Sequence, residues 1–169
     1  MPDDVRGSGR VLRRWENEDG EWYVAQLADA EIQRFTTESV TTTADEFRVA
    51  LTELRHNAHE AGFAIIDPLT GRLAGNIGAS LEHETADISY WLAPAARGQG
   101  LARSAVYELC TWIRNNWPQA SLAQLWVHTD NVASVGVARS GGFVYDSTRD
   151  EARAVDGEDW PVHWYTRSW

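Results

Sequence analysis

The chain has 169 residues, 43% of them hydrophobic and 24% charged, which suits one globular domain with a single good core. Its formal charge is −10 and every basic residue is arginine, which argues against general nucleic-acid or anionic-membrane binding and is compatible with a cationic partner such as an amine or a basic peptide. No apolar run reaches the ~18 residues of a membrane span, and the one cysteine, Cys110, excludes an intrachain disulfide and a multi-cysteine metal site.

Residues 1–9 hold no apolar core for a signal peptide and read as a short disordered lead, so a cytoplasmic location is expected. The domain is expected over residues 10–169, with no internal repeat and no linker to split it. Arg10–Trp15 alternates weakly and predicts a first strand. Glu21–Phe35 reads as helix, in one piece or two, anchored by Trp22, Ala25, Ile32 and Phe35. A Thr/Ser-rich loop, 36–43, precedes a helix from Ala44 to about Ala61, carrying Phe47, Ala50, Leu51 and Leu54 and closed by Gly62. Strands follow at Phe63–Asp67, Arg72–Leu81 and Thr85–Leu92, the last two joined by a turn at Glu82-His83-Glu84. An amphipathic helix opens at Leu101 and stops before Pro118, with Ala105, Val106, Leu109 and Ile113 continuing its apolar face and Cys110 packed there as a small hydrophobe. Leu122–Val127 is a strand, Ser134–Ser140 a short helix and Phe143–Tyr145 a strand; a mixed-charge loop then leads to a final strand, Val162–Tyr165. This order predicts an α/β fold, a mixed central sheet of six or seven strands with helices on both faces.

Between the strand ending at Leu92 and the amphipathic helix runs Arg97-Gly98-Gln99-Gly100-Leu101-Ala102. A strand, a glycine-rich turn and a helix N-terminus make an anion cradle, because unpaired N–H groups point out of the helix start and its dipole favours negative charge. Glycines let the main chain approach a phosphate without a side chain in the way. The stretch is not a P-loop, since the chain has no lysine, and not a dinucleotide fingerprint, since Arg103 stands where a third glycine or alanine is needed. No His/Cys/carboxylate cluster has metal-ligand spacing, so no metal is expected.

The stretch resembles the acyl-CoA loop of the GNAT N-acetyltransferases, Q/R-x-x-G-x-G/A, with Arg97, Gly100 and Ala102 at its three defining positions. A second block, Asn131-Val132-Ala133-Ser134 followed by Gly142-Phe143, resembles the family's next motif in order and spacing. With Arg13-Arg14-Trp15 opening the domain, the chain is most similar to the branch of ribosomal-protein N-terminal acetyltransferases (RimJ/RimL-type). The resemblance implies acetyl-CoA as co-substrate. Its pyrophosphate is expected on the N–H groups of Arg97, Gly98, Gln99, Gly100, Leu101 and Ala102. Its pantetheine is expected along Tyr90, Trp91 and Leu92, where the motif strand splays from the next one. Asn131 is implied as a pantetheine ligand and Ser134 as a ligand and proton donor to the leaving thiolate, while either residue also suits a helix N-cap. The Tyr90 and Trp91 rings are expected in core packing.

A general base is implied on the hairpin before the motif strand, where Glu84 ranks above Glu82 and Asp87 lies nearby. Glu158, Asp159, His163, His83 and His128 are further candidates, and water is another. Of the nine tryptophans, Trp15, Trp22, Trp112, Trp117 and Trp126 are expected in packing. Trp160, Trp164 and Trp169 are expected as a C-terminal cluster that lines an amine cleft or caps the core. The expected activity is direct acetyl transfer to a primary amine, a peptide N-terminus or a small molecule, by a protein able to form a homodimer. The competing reading is a non-catalytic acyl-CoA sensor or partner subunit with the same fold.

Overall fold

The computed structural model describes residues 10–149, 152–155 and 157–169; the expected N-terminal lead lies outside them. Short β1 (Leu12–Arg13) leads into two small helices, α1 (Gly20–Gln26) and α2 (Ala30–Phe35), then α3 (Ala44–His56). Strands β2 (Glu60–Ile66), β3 (Leu73–Glu82) and β4 (Thr85–Leu92) form a meander, and α4 (Leu101–Asn116) crosses to β5 (Leu122–His128). After α5 (Val132–Ser140) come β6 (Val144–Tyr145), β7 (Ala152–Val155) and β8 (Glu158–Ser168). The sheet has eight strands in the order β1-β2-β3-β4-β5-β8-β6, with β7 paired to β8, one or two more than expected. Among the described residues only the β4–β5 pairing is parallel.

Strand alternation divides the core between two faces. Phe63, Ile65, Ile77 and Ile88 pack against Leu109 and Ile113 of α4 on one side. Ala64 and Trp91 meet Tyr23, Ile32 and Leu51 of the three N-terminal helices, with Leu27 just after α1, on the other. Cys110 is buried among the α4 contacts, and burial pushes its thiol up to about 11.

Several boundaries differ from the sequence reading. The first strand shrinks to two residues, and the helical stretch from Glu21 breaks at Asp29, whose carboxylate caps α2. Ala25 and Ala50 are exposed rather than anchoring, and Trp22 is half-buried. α3 ends at His56, not Ala61, because Glu60 and Ala61 pair with Ser80 and Ala79. Gly62 is therefore a strand residue, not a helix stop. A Cβ there would stand 2.8 Å from Leu54 Cδ2, so its bare backbone lets α3 lie against the sheet. The last strand runs over eleven residues because its whole length pairs, with β5, β6 or β7.

Candidate active site

β4 and β5 pair only at Thr85–Leu122, Ala86–Ala123 and Asp87–Gln124. Beyond Asp87 they separate, while β4 stays paired with β3 as far as Leu92. Ala93 N–H donates to Ala74 O at 2.8 Å, so the alternation of an antiparallel ladder turns the main-chain groups of Leu92 and Tyr90 toward the open side. The Leu92 carbonyl accepts there from Arg97 Nη2 at 3.1 Å, and its N–H faces the gap. A cleft of about 430 Å³ fills that gap.

The cleft reaches the glycine turn. Gly98 and Gly100 hold φ of +74° and +76°, and a Cβ on either would meet nothing within 4 Å. Gly100 is the N-cap of the sixteen-residue α4 and supplies no capping side chain. The first-turn N–H groups of α4 are thus presented to open space with the positive end of the helix dipole behind them. This fits a phosphate and leaves room for one.

Each residue singled out from the sequence can be placed. Tyr90, Trp91, Leu92, Arg97, Gly98, Gly100, Leu101, Ala102, Asn131 and Ser134 all line the cleft. Gln99 does not; its side-chain amide folds back onto Ala95 O at 2.8 Å. The Arg97 guanidinium turns away from the cradle to pair with Asp29 and with Glu31 of α2. That cation, with the N–H groups of Ile32 and Glu31 assisting, holds the Asp29 carboxyl below the ordinary aspartate range. Asn131 Oδ1 accepts from Ser134 N–H at 3.1 Å and so caps α5. Tyr90 packs its ring on the core, and its hydroxyl donates to Ser134 Oγ at 3.0 Å. Burial pushes that phenol up to about 12, so it stays protonated at neutral pH.

The hairpin carboxylates separate. Glu84 is exposed, with Oε2 accepting from Ser121 Oγ at 3.3 Å, and Glu82 is exposed at the hairpin tip; neither lines the cleft. Asp87 lines a second groove of about 320 Å³ that shares Thr37, Ser89 and Trp126 with the cleft. Its carboxyl is pushed up, mainly by burial, while Gln124 Nε2 donates to it at 3.2 Å. The three late tryptophans do not cluster. Trp160 meets Trp126 and His128 beside the cleft, Trp164 lies under Arg149, and Trp169 donates to Ala120 O at the other end of β5. Phe35, Glu38, Arg103, Trp126 and His128 also line the cleft, and no local pattern places Glu38 or Arg103 there.

The sequence profile described as "Acetyltransferase (GNAT) domain" matches residues 10–144. The chain belongs to the GNAT acetyltransferase family. It is accordingly an acetyl-CoA-dependent N-acyltransferase by family. No curated protein sequence matches the chain significantly. Among solved structures, this GNAT domain is similar to a spermidine N-acetyltransferase from Vibrio cholerae in complex with CoA and spermine. That match has a TM-score of 0.78 and 20% identity over 93% of this chain and 94% of that one. It is similar to an acetyl transferase from Salmonella typhimurium that modifies the N-terminal serine of ribosomal protein L7/L12, with a TM-score of 0.77 and 22% identity over 94% of each chain. A GNAT-family acetyltransferase from Bacillus anthracis matches with a TM-score of 0.80 and 17% identity over 96% of each chain. At these identities the likeness carries the fold, and the separation of β4 from β5 is the part of the fold that makes the site. Among the described residues no helix is long and apolar enough to cross a membrane.

Proposed function

We propose that this GNAT enzyme transfers an acetyl group from acetyl-CoA directly to a primary amine in a ternary complex, as a cytoplasmic member of the RimJ/RimL-type branch. The observation that carries the reading is the unpaired β4 edge running into an open glycine cradle at the start of α4. Acetyl-CoA supplies an activated thioester and a pyrophosphate. The main-chain N–H groups from Gly98 to Ala102 would hold the pyrophosphate, with Arg103 adding a cation on the first turn of α4. The edge of Tyr90, Trp91 and Leu92 would hold the pantetheine, and the Leu92 N–H is the donor placed to polarise a carbonyl in the gap.

Ser134 is the proton donor on the leaving-group side. Tyr90, protonated and donating to Ser134 Oγ, leaves the serine hydroxyl hydrogen free to point into the cleft. Glu82 and Glu84 lie away from the cleft, so we assign the general base to Asp87, acting through water along the shared groove. Burial raises its carboxyl in the direction a base working near neutral pH needs. Two amine classes fit: a protein N-terminus, as in the Salmonella enzyme that modifies L7/L12, and a small amine, as in the Vibrio enzyme solved with spermine.

The test is calorimetric titration with acetyl-CoA and CoA, followed by thiol release with a panel of peptides and small amines. One-to-one micromolar binding with amine-dependent thiol release is expected. Binding with no turnover on any amine favours a sensor or partner subunit, and no binding refutes the reading.

A further inference from the structure

Glu38 lies in the loop between α2 and α3 and lines the cleft. Two elements fix its carboxylate. Tyr23 Oη of α1 donates to Oε1 at 2.7 Å, and Trp91 Nε1 of β4 donates to the same oxygen at 2.9 Å. Both donors are buried in one aromatic cluster with Trp15 and Phe47. The backbone is pinned as well: Gln33 Nε2 donates to Glu38 O at 3.1 Å, and Glu38 N–H donates to Thr36 Oγ1 at 3.2 Å. Among the described residues Oε2 has no partner, and it is not sealed from solvent.

A carboxylate in an apolar-walled cleft loses hydration, and a fold that holds one rigidly without a counter-ion leaves a place for a cation from outside. Neither arginine of the cleft pairs with it: Arg97 is held by Asp29 and Glu31, and Arg103 stands on the first turn of α4, where it is assigned to the pyrophosphate. Trp91, which holds Glu38, directly precedes Leu92, whose N–H faces the gap. Glu38 and Leu92 line the same cleft, so a cation on Oε2 shares it with the strand position assigned to the thioester. Phe35 and Trp126 supply aromatic walls, whose faces also attract cations.

We propose that Glu38 is the ammonium anchor of the acceptor, so that the cleft selects a primary amine in its protonated form. This rests on the acetyltransferase reading above. Glu38 sets affinity for the amine and does not touch the acyl donor.

Glu38→Gln separates charge from structure, because its amide oxygen still accepts from Tyr23 and Trp91. The protein is saturated with CoA and titrated with spermidine, phenethylamine and a short peptide with a free amino terminus, each against its N-acetylated form. At least one amine is expected to bind at least about tenfold tighter than its acetylated form. E38Q is expected to weaken that binding by about tenfold or more and to raise KM for the amine in thiol release, with acetyl-CoA affinity and Tm unchanged. Glu38→Asp should recover part of the loss. The inference is overturned if no amine is preferred over its acetylated form, or if E38Q binds amines like the wild type. It is equally overturned if E38Q and E38D lose affinity alike with a lowered Tm, the mark of a structural role. Failure of the acetyltransferase reading shows separately, as wild-type protein that does not bind acetyl-CoA.

Discussion

Gly100→Ala tests the cradle, and the structure supplies its own control. Gly100 and Gly71 both hold left-handed φ, +76° and +69°, and a Cβ on either meets nothing within 4 Å. An L residue in that conformation costs about 1–2 kcal/mol. In a domain of this size each kcal/mol lowers Tm by about 2–4 °C, so both variants should melt about 2–8 °C below the wild type. They differ in where the methyl goes. Gly71 sits in the β2–β3 turn and lines no part of the cleft, whereas Gly100 stands at the mouth of α4 within it. A methyl there keeps a phosphate oxygen from closing on the first-turn N–H groups. Loss of one charge-assisted hydrogen bond, about 1.5–3 kcal/mol, corresponds to roughly 10- to 150-fold in Kd. Thermal melts and calorimetric titration with acetyl-CoA on the three proteins read both quantities. G71A should lose stability alone and G100A should lose both. Equal acetyl-CoA affinity in G71A and G100A would refute the assignment of the cradle to phosphate.

Ser134→Ala should lower kcat by roughly 10²-fold and leave the Kd of acetyl-CoA nearly unchanged. Tyr90→Phe should cost less. If the tyrosine acts through the serine, the double variant matches S134A alone, whereas multiplicative losses in thiol-release kinetics would show two independent groups. Asp29→Asn keeps a good N-cap on α2 and removes the charge that Arg97 faces. The folded carboxyl titrates below its ordinary value of about 3.9, so the ion pair stabilises the protein above that pH and ceases to as pH falls through the folded value. Wild type should exceed D29N by ~1 kcal/mol at pH 7, and the gap in denaturant midpoints should close in strong acid. A gap constant with pH would remove the ion pair from the account.

The elements most legible in the sequence are those whose pattern is local. The seven buried residues of α4 recur at helical spacing, and the turn that feeds it carries glycines whose positive φ no other residue type adopts easily. The end of α3 is not legible because Glu60 and Ala61 have no local strand signal and are drawn into β2 by pairing with β3, about 20 residues downstream. The β7–β8 pairing hides for a related reason: a mixed-charge segment becomes strand only through its partner. Tyr90 was visible as a strand residue, but its bond to Ser134 spans 44 positions. Glu38 is the extreme case, since its neighbours in sequence are Thr37 and Ser39, and the two donors that fix it lie 15 and 53 residues away. A loop carboxylate becomes a site residue only when the fold brings a phenol and an indole to it.

The position of Arg97 changes what the glycine motif means in this molecule. Its guanidinium joins the Leu92 carbonyl at the end of β4 to Asp29 and Glu31 at the start of α2. In the proposed cradle, anion recognition by the loop itself is thereby left to main-chain groups, which any sequence with the right glycines can provide. The side chain that heads the motif is instead a brace across two walls of the cleft. On the proposed assignment, donor and acceptor sites that the motif alone would keep apart are mechanically one part, and evolutionary pressure on residue 97 can come from either side.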